Sequence, residues 1–125
     1  MVAYLRSRIR SFVYAFQGII TLFRTQANAQ IHLLAVILIS LLGGFLNLSA
    51  IEWCIILLCM ALVLVAEGIN TALEFLTDLV SPDPHPLAGK AKDVAAGAVL
   101  ISVIFCAVIW GIIFLPKIAA LMDWK

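Results

Sequence analysis

A chain of 125 residues that is 65% hydrophobic and 12% charged, with a mean hydropathy of +1.17, is too apolar for a water-soluble domain of its size. Its net charge of +1 excludes a strongly basic nucleic-acid-binding protein, so no nucleic acid is expected among its partners. Composition and spacing predict an all-α membrane protein, a single integral membrane domain over 1–125 with one N-terminal amphipathic surface helix and three transmembrane helices. Cys54, Cys59 and Cys106 fall in apolar stretches with no CxxC pair and no neighbouring histidine, and read as packing residues rather than a disulfide or zinc site.

In chain order, Phe12, Phe16, Ile19, Ile20 and Phe23 recur at helical spacing, with Arg10, Gln17, Thr21, Arg24 and Asn28 on the other side. This predicts a helix over about 5–28 lying in the membrane surface, either as an anchor or as a helix that also lines a site. No apolar core with a small-residue cleavage site follows the arginines, so the N-terminus is expected to be retained. Three apolar segments, 31–48, 51–71 and 94–115, are each long enough to span about 30 Å of hydrocarbon. The corresponding helices are expected over about 30–48, 51–80 and 91–115. Asn47 to Ser49 reads as a tight outer turn, with Ser49 as N-cap of the next helix. Ser81-Pro-Asp-Pro-His-Pro stops that helix after about 45 Å, which leaves its end protruding into the cytoplasm. Pro116 is predicted to end the third span, and Leu121, Met122 and Trp124 to sit in the outer interface. Arg6, Arg8, Arg10 and Arg24 precede the first span, Lys90 and Lys92 lie between the second and third, and only Lys117 and Lys125 fall at the other end. The N-terminus and loop 81–93 are therefore expected on the cytoplasmic side.

Five polar residues interrupt the second span: Glu67, Asn70, Thr71, Glu74 and Asp78. At about 100° per residue all five fall on one helix face, within roughly a third of a turn. Glu67 lies about 24 Å from the outer end, at hydrocarbon depth or its inner margin, and Glu74 and Asp78 about 35 to 40 Å along, in the headgroup region or beyond. A polar residue at the depth of Glu67 and Asn70 needs a specific partner, which makes a functional site the first reading. For Asp78 a structural role, pairing with Lys90, Lys92 or the arginines, stands beside it.

An acidic cluster beside lysine and arginine at a bilayer surface suits a divalent metal and a polyphosphate. A carboxylate deeper in the lipid can accept the proton of a lipid hydroxyl. Together these parts describe phosphoryl transfer to a membrane alcohol. Gly89-Lys90 lacks the rest of GxxxxGK[ST], so no P-loop is expected, and no nucleophilic cysteine or histidine beside a phosphate cradle marks a phosphatase. The rival reading is a non-enzymatic ion-binding or scaffolding membrane protein in which Glu67 and Asn70 hold an ion or pair between subunits.

The run from Glu67 to Asp78, Glu-Gly-Ile-Asn-Thr-Ala-Leu-Glu-Phe-Leu-Thr-Asp, resembles the signature of the prokaryotic diacylglycerol kinase family, E-x-x-N-[ST]-A-x-E-x-x-x-D. The stretch from His85 to Ala98 is similar to that family's second block, and the resemblance covers nearly the whole chain. It implies a small integral membrane kinase of the bacterial cytoplasmic (inner) membrane, homotrimeric with shared active sites, moving the γ-phosphate of Mg-ATP onto a lipid alcohol. By position it implies Glu67 as catalytic base, Asn70 as organiser of the acceptor and metal site, and Glu74 as a Mg²⁺ ligand. Tyr14, Glu74, Asp78, Asp83, His85, Lys92 and Asp93 match nucleotide-binding positions, and Arg6 or Arg8 lies near a position where the family uses arginine.

Two departures bear on the site. Where many members carry Glu-x-Asn-x-Arg ahead of the first span, this chain has Gln26-Ala-Asn28-Ala-Gln30. Gln26 is expected to replace a carboxylate ligand with a neutral amide oxygen, weakening Mg²⁺ binding, and the arginine is absent at Gln30. The block His-Pro-Leu-Ala-x-x-Ala-Lys-Asp-Val-Ala-Ala-Gly-Ala resembles the undecaprenol-phosphorylating branch more than the diacylglycerol branch. Undecaprenol is the favoured acceptor and diacylglycerol the alternative.

Overall fold

The computed structural model describes residues 1–122, so the interfacial placement expected for Trp124 lies outside it. Four helices follow one another, α1 (Val2–Thr25), α2 (Ala27–Phe45), α3 (Ala50–Val80) and α4 (Pro86–Met122), and no strand occurs among the described residues. The last three are long and apolar enough to cross a membrane. At 19, 31 and 37 residues they extend about 28, 46 and 55 Å. Most of their large apolar side chains face outward, as a surface solvated by lipid requires, and the chain is a multi-pass membrane protein.

Helix α1 is almost wholly exposed, with Phe12, Phe16, Ile19 and Ile20 facing away from the bundle. Leu22 and Phe23 are half-buried near its end, and Leu22 lies over Gly68 of α3. The helix stops at Thr25, not at residue 28, because Gln26 leaves helical geometry at φ −108° and ψ 113° and begins α2. Gln30 ties the joint by donating its Nε2 proton to the Phe23 carbonyl at 3.0 Å, one of the acceptors a helix C-terminus leaves open. Asn28 accordingly belongs to the first turn of α2.

Each backbone amide of the turn between α2 and α3, from Leu46 to Ser49, finds an acceptor. Asn47 adopts φ 49°, a left-handed conformation that asparagine tolerates, and the amides of Asn47 and Leu48 donate to the carbonyls of Gly44 and Gly43 at 3.3 and 3.2 Å. Leu48 then folds over Gly43, where a Cβ would stand 2.8 Å from the leucine and 3.0 Å from the Trp53 ring. Ser49 caps α3 as expected, and the box is reciprocal: Ser49 Oγ accepts from the Glu52 amide at 3.3 Å while Glu52 accepts from the Ser49 amide at 2.7 Å.

Helix α4 begins at Pro86, about a turn earlier than expected. Proline is favoured at the first helical position, and His85 Nδ1 accepts the Leu87 amide at 3.2 Å in the manner of a cap. At the other end Pro116 does not terminate the helix, which continues to Met122. Phe114 is buried with Leu48, Ile56 and Met60, with Ile113 and Ile118 packed against them, and Lys117 Nζ lies 3.2 Å from Glu52 Oε2. Contacts on both sides of the proline thus hold the segment helical, as neighbouring helices do for prolines in membrane spans. Helix α4 packs chiefly on α3, and α2 also packs on α3. The backbones of α2 and α4 do not approach within 8 Å, which leaves a groove between them floored by α3.

Replacing Asn47 with valine is expected to destabilise the hairpin by about 1–2 kcal/mol, whereas glycine leaves it unchanged or slightly more stable. Thermal unfolding in detergent micelles, followed by circular dichroism, measures both.

Candidate active site

The polar face of α3 is graded along its length. Glu67 is 1% exposed, Asn70 4% and Thr71 4%, Glu74 is half-buried, and Asp78 is open. Asn70 Nδ2 donates to Glu74 Oε1 at 3.1 Å, the i to i+4 pairing that their spacing allows. The remaining buried oxygens on this face, Glu67 Oε2, Asn70 Oδ1 and Thr71 Oγ1, have no hydrogen-bond partner among the described residues. An unsatisfied buried group costs about 1–3 kcal/mol, so three on one helix face call for a ligand or a partner.

Two of those side chains open onto a cavity of about 260 Å³ in the groove. Glu67 and Asn70 face Asn28 and His32 of α2 across it, and Val99 and Val103 of α4 close the third side. Sequence reasoning passed over His32 because a single histidine in an apolar run carries no periodic signal. Its position four residues after Asn28, on the same helix face, was the available clue.

A second hollow, of about 580 Å³, lies where α3 ends and α4 begins. It gathers Asp78, Asp83, His85 and Lys92. Lys92 donates to Asp78 Oδ1 across the cleft, and Ser81 Oγ donates to the Asp83 carbonyl at 3.0 Å, fixing the loop. Because His85 Nδ1 is occupied by the Leu87 amide, Nε2 is the nitrogen left to meet a ligand. Glu74 stands on α3 one turn from Asn70 and one from Asp78, between the two hollows.

Of the remaining expected site residues, Asp93 is exposed and lines neither hollow, and Tyr14 projects from α1 at 65% exposure and lines neither. Gln26 is half-buried at the α1–α2 joint, and its side chain caps neither helix. No group of three or more His, Cys, Asp or Glu side chains that could hold a metal occurs among the described residues. What one chain offers is an oxygen set, the Glu74 carboxylate and the unpartnered Asn70 Oδ1, which is the hard-donor chemistry Mg²⁺ takes when phosphate and water complete its shell.

A family model described as prokaryotic diacylglycerol kinase matches residues 13–114. The chain is 42% identical over 109 residues to an undecaprenol kinase of Bacillus subtilis, an overlap of 87% of this chain and 89% of that protein. It is 40% identical over 113 residues to a diacylglycerol kinase of Synechocystis, covering 90% of this chain and 65% of the relative. A diacylglycerol kinase of Escherichia coli shares 29% identity over 105 residues, 84% of this chain and 86% of its own length.

The Lys92–Asp78 pair has side chains 37% and 62% exposed, so it contributes at most about 1 kcal/mol to stability. Asp78→Asn is expected to leave the thermal midpoint nearly unchanged, and differential scanning calorimetry of the purified protein checks this.

Proposed function

The chain belongs to the prokaryotic diacylglycerol kinase family, and from that premise we propose that it is a lipid kinase transferring the γ-phosphate of Mg-ATP to a membrane lipid alcohol. The observation that carries the reading is the unpartnered carboxylate oxygen of Glu67, buried in a cavity whose other polar walls are amides and a histidine. A desolvated carboxylate without a cationic partner is suited to accept a proton. In the proposed step the lipid oxygen attacks the γ-phosphorus as its proton passes to Glu67, the bond to the bridging oxygen breaks, and ADP leaves. Asn70 orients the reactants through its bond to Glu74. Bound Mg²⁺ would supply charge neutralisation at the phosphates, with Glu74, Asn70 and Gln26 as the oxygen donors this chain brings.

Asp78, Asp83, His85 and Lys92 are the proposed nucleotide side of the site, and their shared cleft supports that grouping. Moving Lys92 from Asp78 to a phosphate costs little, because the existing pair is exposed. Glu74, Tyr14 and Asp93 complete the proposed set. Tyr14 and Asp93 line neither hollow of their own chain, which is compatible with the shared sites of the homotrimer that the family resemblance implies. The excess of basic residues at the N-terminus and in segment 81–93 supports a cytoplasmic position for both, and the bacterial cytoplasmic (inner) membrane is what the family resemblance implies. Undecaprenol is the favoured acceptor, supported by the similarity to the Bacillus subtilis undecaprenol kinase over most of both chains. Diacylglycerol is the second reading, favoured by the Synechocystis relative.

Transfer of label from γ-labelled ATP to undecaprenol and to diacylglycerol, offered separately and together in mixed micelles, tests the reading. Labelling of undecaprenol in preference is the expected result, and transfer to neither in excess Mg²⁺ overturns the kinase assignment. Glu67→Gln is expected to lower kcat by at least about 10²-fold while Mg-ATP binding persists, as removal of a general base predicts. Loss of nucleotide binding in that variant counts against the role. Gln26→Glu is expected to lower the Mg²⁺ concentration for half-maximal activity, and an unchanged titration removes Gln26 from the metal site.

A further inference from the structure

Two cysteines meet inside the bundle. Cys59 of α3 is 6% exposed and Cys106 of α4 1%, and together with Val63 they form a buried cluster where the two helices pack. Cys106 Sγ donates to the Cys59 carbonyl at 3.4 Å, and the two thiols lie within hydrogen-bonding reach of each other although 47 residues separate them along the chain. Cys59 comes nine residues after Ala50, the start of α3, or about 14 Å along the axis, which puts the pair near the middle of a hydrocarbon core about 30 Å thick. The proposed phosphoryl transfer uses neither thiol. Cys106 and Met60 also line a slot of about 80 Å³, which shares His32 and Val103 with the polar cavity and so communicates with the groove between α2 and α4.

We propose that Cys59 and Cys106 form a two-thiolate site for a linear, thiophilic dication of the Hg²⁺ class, which clips α3 to α4 inside the bilayer. The proposal goes beyond the kinase reading and does not depend on it. Spacing argues against a disulfide, which brings its sulfurs to about 2 Å. Two thiolates in line across a metal stand about 4.6 Å apart, twice a metal–sulfur bond of about 2.3 Å. Because sulfur is larger than oxygen, a contact between the two thiols is longer than the 3.4 Å from Sγ to the carbonyl, and therefore nearer the second spacing. Charge then selects the cation. Two thiolates around a dication are neutral, whereas a monocation leaves one negative charge unpaired in hydrocarbon, which a low-dielectric medium penalises heavily. Zn²⁺ has the right charge but takes four ligands, and no group of three or more His, Cys, Asp or Glu side chains that could hold a metal occurs among the described residues. Met60 adds a neutral soft donor on the slot side without changing the charge. The entering species is the neutral dichloride, and the slot, with the volume of two to three waters at about 30 Å³ each, admits a molecule of three atoms. Two S–H and two Hg–Cl bonds break, two Hg–S bonds form, and each proton leaves with a chloride. Nothing is oxidised and no net charge crosses the lipid.

Intact-mass measurement on the full-length protein in micelles tests this, with the exposed Cys54, which lies outside the cluster, replaced by alanine. The Cys54→Ala protein is treated with one equivalent of HgCl₂ and then washed with a monothiol, which strips mercury held by one sulfur but competes poorly against two sulfurs presented together. One mercury per chain, with two protons lost and neither chloride nor monothiol retained, is the expected result. After tryptic cleavage at Lys90 and Lys92, which lie between the two cysteines, the peptides carrying Cys59 and Cys106 are expected to remain joined through the metal. The thermal midpoint is expected to rise by about 5 °C or more, since the clip closes a loop of chain as a disulfide does, and to stay in place with Zn²⁺ instead. Adding Cys59→Ala or Cys106→Ala is expected to abolish retention of the metal. An adduct that keeps chloride or the monothiol, mercury that washes off, peptides joined between chains, or retention by a variant lacking either cysteine overturns the proposal. The joined peptides are read on protein that keeps both cysteines, so a variant that fails to fold does not weaken the test. None of these readouts involves ATP or a lipid alcohol, so failure of this site and failure of the kinase reading are separate results.

Discussion

The interaction on which the rest depends is the packing of a partly polar helix against apolar neighbours at hydrocarbon depth. Helix α3 carries Glu67, Asn70 and Thr71 on the face it buries, and three oxygens there have no partner among the described residues. In a lipid environment such groups are tolerated only where a ligand, an ion or a specific contact compensates them. The small and medium residues of α4 that meet this face, Ala95, Val99 and Ser102, are buried and allow close approach. α2 keeps its distance from α4, so the polar face is covered on one side and reachable from the other. The cavity is the result of that asymmetry.

Because α3 is one uninterrupted rod of 31 residues, it couples two chemically different places at fixed separation. Asp78 lies eleven residues beyond Glu67, about 16 Å along the axis, and Glu74 stands between them. The cleft that holds Asp78 and Lys92 and the cavity at Glu67 are thereby kept at a fixed spacing without any moving part in α3. The capping box at Ser49 and the Glu52–Lys117 pair fix the far end of the same rod, and the rod's register transmits that position to the site.

Much of this was legible in the sequence, where the physics is local or periodic. The five-residue polar stripe, the Ser49 cap and the three apolar spans follow from 3.6-residue periodicity and side-chain capping, and all are present. What escaped is decided by tertiary contact. Pro116 reads as a stop until the Phe114 cluster and Lys117 hold the chain helical across it. The break at Gln26 has no glycine or proline to announce it and depends on Gln30 reaching back to Phe23. Gln30, noted in the sequence as the loss of an arginine, is therefore a clasp between helices. His32 acquires meaning only when α2 is laid beside α3. The candidate residues Asp78, Asp83, His85 and Lys92 could be matched by motif, but their convergence on one cleft required the turn geometry of the loop, with His85 as cap of α4.

The shortness of α2 has a further consequence. Its 19 residues extend about 28 Å, close to the thickness of a bilayer's hydrocarbon core, whereas α3 and α4 have turns to spare at their ends. Tilting can absorb excess length but cannot create it, so α2 is the element that feels hydrophobic mismatch first. Asn28, in its opening turn, lines the polar cavity. A thicker membrane would have to thin locally around α2 or draw one of its ends inward, and Asn28 and the Gln30 clasp to α1 lie at one of those ends. Membrane thickness is thus a variable to which the cavity end of α2 would respond independently of any substrate.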